Sequence, residues 1–319
     1  MTRFTLPGST GFIVLATIVV AAQQPSSLPA GDPTAKVVYL RGNTVATATG
    51  DGANVRDLVA DADHKWQPRW SPQGDRIAYR TPDTTAARAV SHATLRVIDT
   101  EGKPQASLPV YSTDPDGTLV GGMRFVEDSG WHSASAVFAS GSVGPRSIEY
   151  RVIDLSGRVE TSYFGTQFTP CPRTGRVAYV GEPGSGPDGR AIIEINGKPA
   201  LTASSADAEI EMLRWTDDCQ RLIVHEVRGE TSRLIVLRNG TAEANLPLAK
   251  DLADGTFTPT RDAFLVSTTS LAFRYDPATR TLTAAAAAQR EADARAAARA
   301  TVMQRLGGGS PDWWSAAPR

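Results

Sequence analysis

QPRWSPQGDRIAYR, residues 67–80, carries an aromatic (Trp70), then a polar turn, then an apolar run with the look of a strand. The same order returns in GMRFVEDSGWHSASAVFAS (122–140), TQFTPCPRTGRVAYV (166–180), MLRWTDDCQRLIVHE (212–226) and GTFTPTRDAFLVST (255–268). Taking Trp70, Phe125, Phe168, Trp215 and Phe257 as the equivalent aromatics, the steps are 55, 43, 47 and 42 residues. Segments of β type repeating at this period build a propeller, because one such unit cannot bury its apolar face alone.

Working outward, each copy is followed by a further strand: TLRVID (94–99), IEYRVID (148–154), AIIEI (191–195), SRLIVL (232–237) and LAFRYD (271–276). Turn signals follow: DTEGK (99–103), DLSGR (154–158), NGK (196–198), RNGT (238–241) and DPATR (276–280). Gly and Asn at these places supply the positive φ of tight hairpins. Ahead of the first full copy, VVYL (37–40), TVATAT (44–49) and NVRDLV (54–59) read as the last three strands of a blade without its inner strand. Five full units and one partial unit predict an all-β fold: a six-bladed β-propeller of four-stranded antiparallel blades over residues 36–284. An Ala/Arg-rich helix at 285–306 follows, ended by Gly307. In the Gly-rich linker and tail at 307–319, Pro311-Asp312-Trp313-Trp314-Ser315 echoes Pro68-Arg69-Trp70-Ser71. Either 311–316 supplies the missing inner strand and closes the ring, or the tail hangs free.

The chain has 319 residues, 41% hydrophobic and 21% charged, with a formal charge of −1. No basic field points to nucleic acid. Residues 1–22, with Arg3 ahead of the apolar GFIVLATIVVAA (11–22), read as a signal peptide or else as an uncleaved N-terminal anchor, with a linker at 23–35 behind. The apolar stretch is short for a membrane span, which needs ~20 residues. The mature chain is therefore expected to be periplasmic or secreted, monomeric and without a transmembrane span.

The first copy, P-R-W-S-P-Q-G-D-R-I-A-Y (68–79), resembles the repeat of TolB-like, WD40-like β-propellers, P-x-[WF]-S-P-D-G-x-x-[IL]-[AV]-[FY]. The match lies at Pro68, Trp70, Ser71, Pro72, Gly74, Ile77, Ala78 and Tyr79, with Gln73 in place of the usual Asp. It extends over roughly residues 36–284 and weakens in later copies. TolB itself carries an N-terminal α/β domain, for which the stretch before residue 36 is too short. Such propellers also occur attached to peptidases, but no G-x-S-x-G is present. The resemblance implies a fold and a binding role rather than a chemistry.

No catalytic constellation, metal set or cofactor loop stands out. The four histidines, His64, His92, His132 and His225, fall in different repeats without ligand spacing. The candidate site is the residue before each aromatic: Arg69, Arg124, Gln167, Arg214 and Thr256. Guanidiniums converging at one channel mouth would receive a carboxylate; the other reading is a variable polar position bonded to neighbouring blades. Trp131 and His132, in the long segment 126–135, are candidate loop anchors for a partner, or pack back on the blade. Cys171 and Cys219 sit in equivalent turns of consecutive repeats and either form a disulfide, as export favours, or are unrelated turn residues. The function expected is a non-catalytic binding scaffold for a protein or peptide partner in the cell envelope. The alternative is a propeller hydrolase or lyase whose site is built from several blades.

Overall fold

The computed structural model describes residues 34–82, 93–113, 119–123, 125–143, 148–182, 184–249, 252, 255–268 and 271–315. Residues 1–22, expected to be a signal peptide, most of the expected linker after them, Arg124 and His92 lie outside the described residues.

The chain opens with β1 (Lys36–Arg41), β2 (Thr44–Thr49) and β3 (Arg56–Val59), hairpin-linked and antiparallel. Blade 2 is β4 (Trp66–Trp70), β5 (Arg76–Pro82), β6 (Ala93–Asp99) and β7 (Pro104–Pro109). A two-stranded ribbon, β8 (Tyr111–Thr113) and β9 (Leu119–Gly122), leads into blade 3. That blade is β10 (Phe125–Trp131), β11 (Ala136–Ser142), β12 (Ile148–Asp154) and the first half of β13 (Val159–Cys171). The second half of β13 is the inner strand of blade 4, with β14 (Arg176–Gly181), β15 (Ile192–Ile195) and β16 (Lys198–Thr202). Blade 5 is β17 (Glu209–Trp215), β18 (Arg221–Arg228), β19 (Thr231–Arg238) and β20 (Thr241–Leu248). Blade 6 is β21 (Thr256–Pro259), β22 (Phe264–Ser267), β23 (Ala272–Asp276) and β24 (Thr281–Ala284). Helix α1 (Ala286–Leu306) follows, capped by Gly307 in the left-handed region, φ 63°. Last comes β25 (Gly309–Trp314), which pairs antiparallel with β1, Lys36 opposite Trp314 and Val37 opposite Trp313, as the inner strand of blade 1. The described residues thus form the expected six blades of four strands.

The second strands carry runs of three or more consecutive buried residues, because each blade is covered on both faces. Ile77, Val137, Val177 and Leu222 are fully buried. Neighbouring blades share core clusters: Val38 and Val45 pack with Trp70, Ile77 and Ile98, and Ile223 and Leu234 pack with Phe264 and Tyr275. The first residue of the second strand is usually a cation that reaches the next blade's turn. Lys36 Nζ donates to Gly74 O (3.4 Å), Arg76 Nη2 to Ala134 O (2.8 Å), Arg176 Nη1 to Cys219 O (3.1 Å) and Arg221 Nη1 to Asp262 O (3.1 Å). The Arg76 and Arg176 guanidiniums also lie over the rings of Trp131 and Trp215, at 5.3 and 4.5 Å from the centroid. Those tryptophans donate back, Trp131 Nε1 to Arg69 O (3.1 Å) and Trp215 Nε1 to Thr169 O (2.9 Å).

Between blades 6 and 1 the helix intervenes. Val302 and Leu306 pack on Val37, Tyr39, Ala46, Ala48 and Trp313, the face of blade 1 turned away from blade 2. The same helix touches β22 and β23. The buried apolar residues of α1 are therefore used on blade 1.

Candidate functional site at the inner strands

Strand register decides which inner-strand residues share a level. Trp70 pairs with Ile77, the second residue of its neighbouring strand, and Trp215 with Leu222 in the same way. Trp313 pairs with Val37, Trp131 with Val137, Pro170 with Val177 and Pro259 with Phe264. One step before these come Asp312, Arg69, Gly130, Thr169, Arg214 and Thr258, paired with Val38, Ala78, Phe138, Ala178, Ile223 and Leu265.

This changes the expected arginine ring. In repeat 2 the equivalent aromatic is Trp131, not Phe125. Residues 125–131 are the strand, and the turn is short, closed by His132 N donating to Ala136 O (2.9 Å). Trp131 and His132 are therefore not loop anchors. Trp131 is fully buried, and His132 is buried with Nδ1 3.2 Å from Tyr150 Oη. Burial also lowers the His132 pKa. Gly130, six residues on, takes the place Arg124 was expected to hold. Gln167 and Thr256 lie two residues before the common level. Gln167 sits in a bulge at φ 54° and donates to Ile210 O of blade 5, as Gln67, at φ 49°, donates to Glu127 O of blade 3 (3.3 Å). Thr256 is exposed and paired with Ser267. Arg69 and Arg214 remain together at one level.

Arg69 is 7% exposed and its Nε–H has no hydrogen-bond partner. It attracts two carboxyls, those of buried Asp312 and half-buried Asp128. Asp312 is pushed up to about 6 by burial, against the pull of Arg69, the N–H groups of Trp70 and Trp313, and Arg299. Its Oδ2 accepts from Trp70 N at 2.7 Å. Asp128 is likewise raised by burial, against Arg69, Ser129 N–H and Arg80. Across the ring, Asp217 is raised by burial, against Arg173, Arg299 and Arg295. Arg299 is lowered to about 10 by burial and by Arg295, and is held up by Asp217 and Asp312. A belt of alternating charge therefore runs from blade 4 through helix α1 to blade 3. Arg214 stands apart from it. Burial lowers its pKa, among the described residues no carboxylate opposes that shift, and its buried Nε–H also lacks an acceptor.

Cys171 and Cys219 form a disulfide, Cα–Cα 6.0 Å, between the inner-strand turns of blades 4 and 5. Among the described residues no group of three or more His, Cys, Asp or Glu side chains could hold a metal. Asp128, Asp312 and Arg299 were not singled out from sequence. For Asp312 the signal was present: the echo of Pro68-Arg69-Trp70 in Pro311-Asp312-Trp313 puts it at the position of Arg69. Asp128 and Arg299 had no linear signal.

By sequence, no family model and no curated protein matches the chain. Solved structures match by fold. An uncharacterized protein from Listeria monocytogenes is 9% identical over 83% of each chain, with a TM-score of 0.51. Dipeptidyl peptidase 4 from Porphyromonas gingivalis is 10% identical, TM-score 0.50, over 85% of this chain, which spans 45% of the peptidase. The superposition on TolB from Acinetobacter baumannii, 13% identical over 89% of this chain and 68% of that one, has a TM-score of 0.40 and is too loose to carry an inference. At such identities the likeness is one of architecture. In fold the chain is a β-propeller.

Proposed function

We propose that this protein is an exported binding scaffold whose inner strands receive an anionic group of a protein or peptide partner, a carboxylate above all. One observation carries the reading: Arg69 and Arg214, at one level on inner strands, each hold a buried Nε–H without an acceptor. A buried donor left unmade costs about 1–3 kcal/mol, and a charge-assisted bond to a carboxylate recovers it. Arg214 is the stronger anchor, because among the described residues no carboxylate opposes its shift, whereas Arg69 acts on both Asp128 and Asp312. Export fits the apolar segment 11–22 and the disulfide. Among the described residues no helix is long and apolar enough to cross a membrane.

Affinity capture from an envelope extract, with Arg214→Gln beside the parent and both checked for folding, supplies the partner. Titration with peptides carrying a free or an amidated C-terminus then tests the chemistry. Amidation and Arg214→Gln are each expected to weaken binding about tenfold or more. Equal binding of both peptides, or by both proteins, overturns the reading.

A second reading, a hydrolase or lyase with a site built from several blades, is favoured by Asp312. A carboxyl titrating near pH 6 is poised for general acid–base work. Turnover of a sugar or lactone substrate abolished by Asp312→Asn would support it.

A further inference from the structure

An open cleft of about 390 Å³ lies between blades 3 and 4, where β13 passes from the one to the other. Its walls are Ser162, Tyr163 and Phe164 of β13, Tyr179 of β14, and Glu182 and Glu194. Gly165 and Gly181 face each other in the β13–β14 register at its head. A Cβ at Gly165 would fall 2.2 Å from Val180 O, and one at Gly181 would meet Ser185 Oγ at 3.1 Å and Glu194 Oε1 at 3.4 Å. Glycine at both places keeps the strands close and the cleft open.

The lining combines aromatic rings with negative charge. The Tyr163 and Tyr179 centroids are 5.5 Å apart, the rings tilted by 40°. Phe164 is 48% exposed on a strand whose neighbours are half-buried or buried, an apolar ring that its own blade does not cover. The Tyr179 hydroxyl donates to Glu194 Oε2, which fixes that carboxylate and leaves Oε1 on the side of Gly181. Burial and the Glu194 charge hold the Tyr179 hydroxyl protonated far above its ordinary range, so it remains a donor. Among its described lining residues the cleft has carboxylates at Glu182 and Glu194 and no Lys or Arg.

We propose that this cleft binds the side chain of an arginine in a peptide segment of a partner. A planar guanidinium stacks on an aromatic face while its N–H fork meets a carboxylate, and the site offers both on adjacent walls. Charge complementarity selects a basic occupant over an acidic or apolar one. The ring and the carboxylate together select arginine over lysine, whose ammonium is compact and strongly hydrated. This site is independent of the inner-strand reading and recognises the opposite charge.

The test titrates the folded full chain with capped Gly-Ser-Arg-Ser-Gly and with its lysine and norleucine counterparts, following amide chemical shifts. The arginine peptide is expected to bind about tenfold tighter than the norleucine peptide, with shifts at 162–164, 179 and 194. Phe164→Ala and Glu194→Gln are each expected to weaken it about fivefold. Phe164 is half-exposed, so its removal leaves the core intact and keeps the test decisive if the Glu194 variant folds poorly. Equal affinity for the norleucine peptide, or shifts confined to the inner strands, overturns the proposal. Ethylguanidinium binding as tightly as the peptide overturns the peptide source and leaves a small-cation site.

Discussion

Asp312 shows how one buried carboxyl couples this fold to pH. Its ordinary pKa is 3.8, and in the folded chain it titrates at about 6. Between those values the folded state holds a proton that the unfolded chain has released, so stability falls as pH rises through the window. Above pH 6 the ionised group costs up to ~3 kcal/mol. Asp312→Asn keeps an acceptor for Trp70 N–H and removes the titration. The variant is expected to be more stable than the parent at pH 7 and about equal to it at pH 4, measured by urea denaturation. A difference that does not change between those pH values would show that Asp312 is not the titrating group. Asp128 and Asp217 are raised by the same cause and act in the same direction. Turn carboxyls such as Asp154, held down by Ser156 and by the Arg158 N–H, act oppositely and favour the fold until acid protonates them.

At the level of elements, seams between blades recur in kind but not in detail. A cation at the head of the second strand, the next blade's tryptophan and its turn carbonyl form one unit in blades 2–3 and 4–5. The 4–5 seam adds the Cys171–Cys219 disulfide, at a sequence separation of 48. Closing a loop of that length removes chain entropy from the unfolded state worth about 4 kcal/mol in the simplest account. Cys171→Ser/Cys219→Ser is therefore expected to lose about 2–4 kcal/mol, and the parent under reductant should lose a similar amount. No loss in either would mean that the remaining 4–5 contacts hold the seam alone. The seam between blades 6 and 1 is different in kind, since helix α1 stands between the two sheets.

For the whole molecule the question is how a linear array becomes a ring. β25 returns to pair with β1, and its Trp314 lies on the turn of blade 2, Nε1 donating to Pro72 O at 3.1 Å. Lys36 Nζ sits 5.0 Å from the centroid of the same indole. Gly74 makes this contact possible: its φ is 68°, and a Cβ there would be 2.2 Å from the Trp314 ring. Gly74→Ala combines an unfavourable backbone with a steric clash and is expected to cost about 2–4 kcal/mol. Ending the chain at Gly308 should expose the β1 edge and broaden the thermal transition. If both changes leave the transition unaltered, the ring does not depend on its last strand.

The repeat of aromatic, turn and apolar strand fixed the architecture from local information, because hairpin turns and buried second strands write themselves into sequence as Gly/Asn and β-branched runs. The match of Pro311-Asp312-Trp313 to Pro68-Arg69-Trp70 was equally legible. Which residues meet across the ring was not. Side chains alternate along a strand, so a bulge at Gln167, or a strand that runs on to Trp131, moves a residue to another level without altering the composition of its repeat. Arg69 and Arg214 were visible as arginines before an aromatic. That Asp128 and Asp312 act on Arg69, while burial alone shifts Arg214, follows from blades far apart in sequence, and only their packing sets it.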